Sequence, residues 1–183
     1  VKVAQGLETA EDANLNTDMD EYTVDDVTPD SLLRMSLDAA SALKKGLKDE
    51  AIRTFSKCLE LCEGKLGDNV PQTLDVVNNL ADAYRDSEEW EISRRLYERC
   101  YEHFVGRLGE DNSRTLSHLN NLGYIALMEE EPDKAVKLLS AVREKYERYL
   151  GPGASKTQQV TSNLASALLD SGDWEAARML LSE

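Results

Sequence analysis

The chain has 183 residues, of which 41% are hydrophobic and 31% charged, enough for one sizeable core or about four stacked helical units. Its formal net charge of −14 argues against a general nucleic-acid or anionic-membrane binder, because attraction to phosphate requires a surplus of Lys and Arg. No run of eighteen apolar residues occurs, so we expect a soluble protein without an inserted segment.

Residues 1–29 are predicted to form an acidic, mostly irregular N-terminal arm. They hold eight Asp and Glu against one Lys, a balance typical of segments that are disordered in isolation. The arm also contains an aromatic residue among its acids. We therefore consider Met19, Tyr22 and Val24 either as a self-ligand that packs near Arg85 or as contacts to a partner. The alternative is a solvated acidic linker.

Helix start and stop signals divide residues 30–183 into hairpins. Thr28-Pro29-Asp30 offers a capping hydroxyl, a proline for the first helical position and a favourable acid, and predicts a helix to about Lys45. Gly46 ends this helix, and apolar residues at three- and four-residue spacings predict a second one from Lys48. Short turns make each pair an antiparallel hairpin. The same signals predict helices at about 71–87, 89–107, 113–129, 132–150 and 155–170, and from Trp174.

A period of 42 residues runs through these hairpins. Leu66-Gly67 returns as Leu108-Gly109 and Leu150-Gly151, with Thr73, Thr115 and Thr157 seven residues after each Leu. A fixed period of this length is typical of a solenoid, in which each unit buries its apolar face against its neighbours. We predict four repeats, the last truncated or uncapped, at about 30–65, 66–107, 108–149 and 150–183.

Small residues coincide in this register, at Ala39, Ala81, Gly123 and Ala165 in the first helices and at Ala51, Ser93, Ala135 and Ala177 in the second helices. Helical hairpins with this pattern resemble the tetratricopeptide repeat. Its long form in kinesin light chains is similar to Leu66-Gly67-Asp68-x-x-Pro71-x-Thr73-Leu74, Asn78-Asn79-Leu80-Ala81-x-x-Tyr84 and Leu96-Tyr97-Glu98-Arg99. The resemblance implies an all-α, right-handed α-solenoid.

The first helix of each hairpin is expected to form the concave wall of this solenoid. Positions three before, one after and four after the small residue share a helical face and should point into the groove. The predicted groove residues are Asn78, Asp82, Arg85, Asn120, Tyr124, Leu127, Ser162 and Ser166.

Asn78 and Asn120 are the main candidates in this set. An Asn amide both donates to and accepts from an extended peptide backbone, and the resemblance implies this role at both positions. The alternative is that both bond within the solenoid. Arg85 is the single cation among the predicted groove residues, so these positions do not predict a carboxylate clamp.

The three cysteines are interpreted as core residues. Cys58 and Cys100 occupy the same repeat position, and packing explains both more simply than metal ligation, since Cys58 and Cys62 alone make a poor zinc site. An odd number of cysteines without a CxxC pair fits a reducing compartment. We expect the cytoplasm, or an organelle interior after removal of a targeting segment.

Catalysis is not predicted. No nucleotide-binding, nucleophile-elbow or zinc-protease motif occurs, and His103 and His118 lie on separate helices without Cys or Ser at motif spacing. We therefore expect no catalytic residue, metal or cofactor.

The predicted function is that of a scaffold or adaptor that binds a protein or peptide segment in its concave groove. The alternative is a structural subunit of a larger hetero-oligomeric assembly, in which another subunit covers the apolar end of the solenoid. That end carries Trp174, Met179, Leu180 and Leu181, which either the continuation of a longer solenoid or another subunit would cover.

Overall fold

The computed structural model describes residues 28–182, and within that range the protein consists of eight α-helices and no strand. The predictions for the arm residues Met19, Tyr22 and Val24 lie outside the described residues. The predicted all-α fold of four hairpins is confirmed. The helices are α1 (Pro29–Lys44), α2 (Lys48–Leu66), α3 (Pro71–Asp86), α4 (Trp90–Leu108), α5 (Ser113–Met128), α6 (Pro132–Leu150), α7 (Ser155–Asp170) and α8 (Trp174–Leu180).

The helices begin where the sequence supplies a cap. Thr28 and Ser31 form a reciprocal capping box before α1, in which each side-chain hydroxyl accepts from the other residue's backbone N–H, at 3.0 and 3.2 Å. The Asn112 side chain accepts from the backbone N–H of Arg114 and caps α5. Proline stands at the first position of α3 and α6, where its missing N–H costs nothing.

The Leu-Gly pair ends the second helix of each of the first three hairpins. Gly67, Gly109 and Gly151 have φ values of 99°, 84° and 85° with extended ψ, a backbone conformation that is open almost exclusively to glycine. The Thr73 hydroxyl donates to the Gly67 carbonyl at 2.8 Å and ties the connection to α3. The Leu-Gly repeat is therefore a backbone requirement of the inter-repeat turn.

Each helix packs on the next along the chain, and the first helices of neighbouring hairpins also approach one another, α1 against α3 and α5 against α7. This arrangement makes the first helices the inner wall. Gly123 in α5 lies so close to α6 that an added Cβ would stand 2.7 Å from two side-chain carbons of Leu139. This close approach explains why the repeat register has a very small residue at Gly123.

The cysteines are buried, as predicted. The Cys58 thiol donates to the Leu32 carbonyl at 3.5 Å, and the Cys100 thiol makes the equivalent contact to Leu74 at 3.8 Å, so the same interaction recurs one period apart. Burial raises the pKa of the Cys100 thiol to about 12. Burial thus disfavours the thiolate form of Cys58 and Cys100.

The two tryptophans lie in different surroundings. Trp90 packs edge-to-face on Tyr124 of the next hairpin, with ring centroids 6.3 Å apart, and so contributes to the packing between repeats. The equivalent Trp174 is 69% exposed, as are Met179 at 62% and Leu181 at 64%, whereas Leu180 is buried. In the described part of the chain, no helix is long and apolar enough to cross a membrane.

Candidate functional site

The three groove residues predicted in the second repeat form one polar cluster. The Asn78 amide donates to Asp82 Oδ2 at 3.2 Å, and Arg85 Nη1 lies 2.8 Å from Asp82 Oδ1. Tyr97, which is fully buried, donates its hydroxyl to the same Asp82 oxygen at 2.5 Å and accepts from Arg85 at 3.1 Å. The structure thus brings these residues together, but Asp82 and Arg85 largely satisfy one another.

The groove positions of the third repeat are covered to a degree that sequence reasoning did not foresee. Leu127 is 7% exposed and belongs to the apolar core with Leu164 and Ala165 of α7, so its prediction as a groove-wall residue was wrong. Asn120 is 8% exposed, and its amide oxygen has no hydrogen-bond partner within residues 28–182. Leu127 is covered because α7 lies beside α5. Tyr124 is half-buried against Trp90.

The predicted residues of the fourth repeat are exposed. The hydroxyls of Ser162 and Ser166 donate to backbone carbonyls one turn back, at 3.1 and 3.2 Å. These side chains therefore lie on an exposed helical face, and their hydroxyl protons already form hydrogen bonds within α7.

A pocket of about 240 Å³, which we call the basic pocket, lies on the inner wall towards the amino-terminal ends of the first helices. Three successive first helices, α3, α5 and α7, supply most of its side chains, and Phe104 of α4 completes its lining. The lining residues are Leu74, Asp75, Asn78, Phe104, Ser113, Arg114, Ser117, His118 and Lys156.

Two cations give the basic pocket its charge. Arg114 and Lys156 occupy the same repeat position, where the second repeat has Gln72. Arg114 Nη1 lies 3.8 Å from Asp75 Oδ1, at the outer limit of an ion pair. Lys156 Nζ donates to the hydroxyls of Ser113 and Ser117, at 3.1 and 3.3 Å. Two cations and one carboxylate thus leave a local positive excess in a strongly acidic chain.

Sequence reasoning missed this pair because it considered only the positions nearest the small residue of each first helix. The available signal was the coincidence of Arg114 and Lys156 in the 42-residue register. Together with Asn78, the two cations place several hydrogen-bond donors, two of them charged, in one pocket.

His118 is the buried member of the basic pocket. The residue is 6% exposed, its ring stacks on Phe104 with centroids 5.3 Å apart and planes 9° apart, and Nδ1 has no hydrogen-bond partner in the described part of the chain. Burial lowers the pKa of His118 to about 4, and the Arg114 guanidinium acts in the same direction. At neutral pH the imidazole is therefore uncharged.

Comparison with known proteins supports the fold. A profile of the tetratricopeptide repeat matches residues 35–104 and 114–183. The structure is similar to BtubC (BKLC) from P. vanneervenii, with a TM-score of 0.75 at 20% identity over 82% of this chain. It is also similar to two structures of a putative kinesin light chain with nearly identical TPR-like repeats from Podosopora anserina. Their TM-scores are 0.74 and 0.72, both at 20% identity over 85% of this chain.

These matches confirm the resemblance to kinesin-light-chain-like repeats, and at this identity they establish the fold alone. This chain spans 60% of the length of BtubC and 73% and 74% of the two Podosopora anserina chains. No curated protein sequence matches it.

Proposed function

The chain belongs to the tetratricopeptide repeat family, and from this premise we propose that it is a non-catalytic adaptor that binds a segment of another protein in its concave groove. Repeats of this type generally act as protein-interaction scaffolds, whose inner walls offer extended binding surfaces. The observation that carries the proposal is the basic pocket, where Arg114 and Lys156 meet Asn78 on that wall.

The size of the pocket favours a protein segment over a free small molecule. Sites for small molecules and cofactors usually have volumes of about 300–1,000 Å³. The basic pocket measures about 240 Å³ and suits a single side chain or a chain terminus. Asn78 joins the pocket to the neighbouring polar wall, along which the rest of a bound segment can run.

The test begins with a peptide display library selected on the full chain. The affinity of the selected peptides is then measured by fluorescence anisotropy for Asn78→Ala and Lys156→Gln. We expect each change to weaken binding by about tenfold, since a hydrogen bond to a charged group contributes about 1.5–3 kcal/mol. Asn163→Ala is the matched control, since Asn163 lies on α7 outside the pocket lining. Unchanged affinity in both pocket variants would locate binding elsewhere and refute the proposal.

A second candidate function is that of a permanent subunit in a larger assembly. Trp174, Met179 and Leu181, which are exposed in the last described hairpin, are the residues on which this candidate is tested. Light scattering coupled to size-exclusion chromatography tests this candidate. Self-association that Trp174→Ser and Met179→Ser abolish would support it, whereas a monomer at every concentration tested counts against it.

A further inference from the structure

His118 is an anomaly in the packing pattern of the repeats. The equivalent residues are Val76 in the second repeat and Val160 in the fourth, with exposures of 5% and 0%, whereas the first repeat has the exposed Arg34. In the second and fourth repeats the position is therefore an apolar packing site, and the third repeat fills it with an imidazole whose Nδ1 has no partner among the described residues. Burying an unpaired polar group is unfavourable, and packing alone gives no reason for it.

The charged groups around His118 come from several helices. Arg114 lies on its own helix, Asp75 on α3 and Lys156 on α7, all of them lining the same pocket. From α4, the Tyr97 ring lies 6.2 Å from the imidazole, and burial raises the pKa of that tyrosine. Among these neighbours none has an ordinary pKa between 5 and 8. The imidazole is thus the group of the pocket suited to titrate in that range.

An entering anion would change the electrostatics of the imidazole. Burial and Arg114 both disfavour the imidazolium and lower the pKa of His118. A negative charge held between Arg114 and Lys156 offsets their repulsion and gives the protonated ring an acceptor. Anion binding and protonation of His118 therefore stabilise each other.

We propose that the basic pocket receives one anionic group of the bound segment, a carboxylate or a phosphate monoester, and that His118 takes up a proton from solvent as the group binds. This inference rests on the proposed function, because it identifies the chemistry of the segment that the groove holds. The imidazolium donates a hydrogen bond to the anion, and Arg114 and Lys156 supply the remaining positive charge.

The proposal fixes the sign of the pH dependence. Because the bound state holds one more proton, binding strengthens as the pH falls through the pKa that His118 has in the complex. For a complex in which that pKa reaches about 7, affinity for an anion that does not itself titrate rises about tenfold between pH 8 and pH 6.

The experiment uses nuclear magnetic resonance of the full chain with isotope-labelled histidine. The chain has two histidines, so His103 serves as an internal reference. Without added anion, we expect His118 to stay neutral from pH 8 to pH 5. With saturating sulfate or acetate, its apparent pKa should rise by one unit or more. Tighter binding of sulfate points to a phosphate monoester, and tighter binding of acetate to a carboxylate.

Two variants separate the parts of the proposal. His118→Val restores the residue of the neighbouring repeats, so we expect it to fold and to bind the anion without pH dependence. Arg114→Gln should weaken anion binding at least fivefold, whereas Arg107→Gln, an exposed change outside the pocket, should leave it unaltered. An unmoved His118 pKa at saturating anion, or an unchanged pH dependence in His118→Val, overturns the proposal.

The outcomes also distinguish the inference from the proposed function. Selected peptides that depend on Asn78 and Lys156 but bind equally at pH 6 and pH 8 would support the groove function and refute proton uptake. Groove binding would be refuted if the affinity of the selected peptides is unchanged in those variants. If an anion still raises the pKa of His118 in that case, the pocket remains an anion site.

Discussion

At the scale of single residues, the buried imidazole of His118 should make the stability of the free protein depend on pH. Its pKa is about 4 in the folded state and about 6.5 in the unfolded chain, so the unfolded state binds the proton more readily. Stability is complete above pH 6.5 and is lost as the pH falls towards 4. Between pH 7 and pH 4.5, wild type should lose about 2 to 3 kcal/mol more unfolding free energy than His118→Val.

Urea unfolding followed by circular dichroism at each pH measures this difference. Protonation of several carboxylates also destabilises the fold at low pH. Because His118→Val has the same carboxylates, the difference between the two proteins removes their contribution to the unfolding free energy. Parallel pH profiles for the two proteins would show that His118 is not buried as a neutral ring.

The hydroxyl of Tyr97 should contribute to stability through the polar cluster of the second repeat. It is fully buried and joins Asp82 to Arg85, so Tyr97→Phe leaves both groups with one partner fewer. We expect a loss of about 1–2 kcal/mol in unfolding free energy.

The matched control is Tyr149→Phe. The Tyr149 hydroxyl also bonds a carboxylate, Asp111 Oδ2 at 2.9 Å, but the residue is 51% exposed, so its loss should cost less than about 0.5 kcal/mol. Equal effects of the two changes would mean that burial adds nothing to the Tyr97 interaction.

For single residues, the sequence predicted which side chains share a helical face better than it predicted how deeply each side chain is buried. Helical periodicity correctly grouped Asn78, Asp82 and Arg85, because side chains four apart share a face. It could not foresee that α7 would cover Leu127, since that depends on the distance between two helices. It also missed Lys156, whose place in the basic pocket depends on the stacking of separate repeats.

At the scale of helices, two of the helical glycines, Gly123 and Gly106, should respond oppositely to alanine. A Cβ at Gly123 would meet Leu139 at 2.7 Å, and relieving such overpacking typically costs about 1–3 kcal/mol. Gly106 in α4 has no atom within 4 Å of an added Cβ, so alanine there should gain about 0.5–1 kcal/mol through helix propensity. Thermal unfolding of both variants checks the pair. Destabilisation by both would mean that helix propensity does not govern Gly106.

The turn inside each hairpin places one residue in the left-handed region. The first and fourth repeats use Gly46 and Gly172, but the second and third use Glu88 and Glu130, with φ of 64° and 60°. Glu88→Gly and Glu130→Gly should each stabilise the protein by about 1 kcal/mol, because glycine removes the Cβ strain. Glu89→Gly, where φ is −86°, is the control and should destabilise it. Chemical unfolding midpoints that fall in the first two variants would contradict the prediction.

The helix bounds were predictable because their signals are local. Caps, prolines and Leu-Gly pairs fixed most ends to within a residue or two, as at Pro71 and Leu150, since they act through hydrogen bonds and backbone angles of adjacent residues. The 42-residue register then fixed which helices pack together. The pockets depend on side-chain rotamers and curvature, which a repeating register does not specify.

At the scale of the whole molecule, charge is unevenly distributed. Residues 1–27 carry eight acids and one lysine, which is half of the net charge of −14. The basic pocket attracts anions, so an acidic segment on the same chain should weaken anion binding by repulsion or by competition. Deleting residues 1–27 should therefore raise the affinity of the pocket for sulfate and for selected peptides severalfold at low ionic strength.

Two further proteins separate the causes of that increase. In the first, the eight acids of residues 1–27 are replaced by their amides; in the second, Met19, Tyr22 and Val24 are replaced by serine. If the arm acts through charge, the amide protein should show the same increase in affinity as the deletion. That increase should disappear in high salt, because the Debye length falls to about 3 Å at 1 M. If the arm is a self-ligand, the serine protein should reproduce it, and the gain should persist in salt. Equal affinity with and without residues 1–27 would contradict both explanations and leave the arm as a solvated linker.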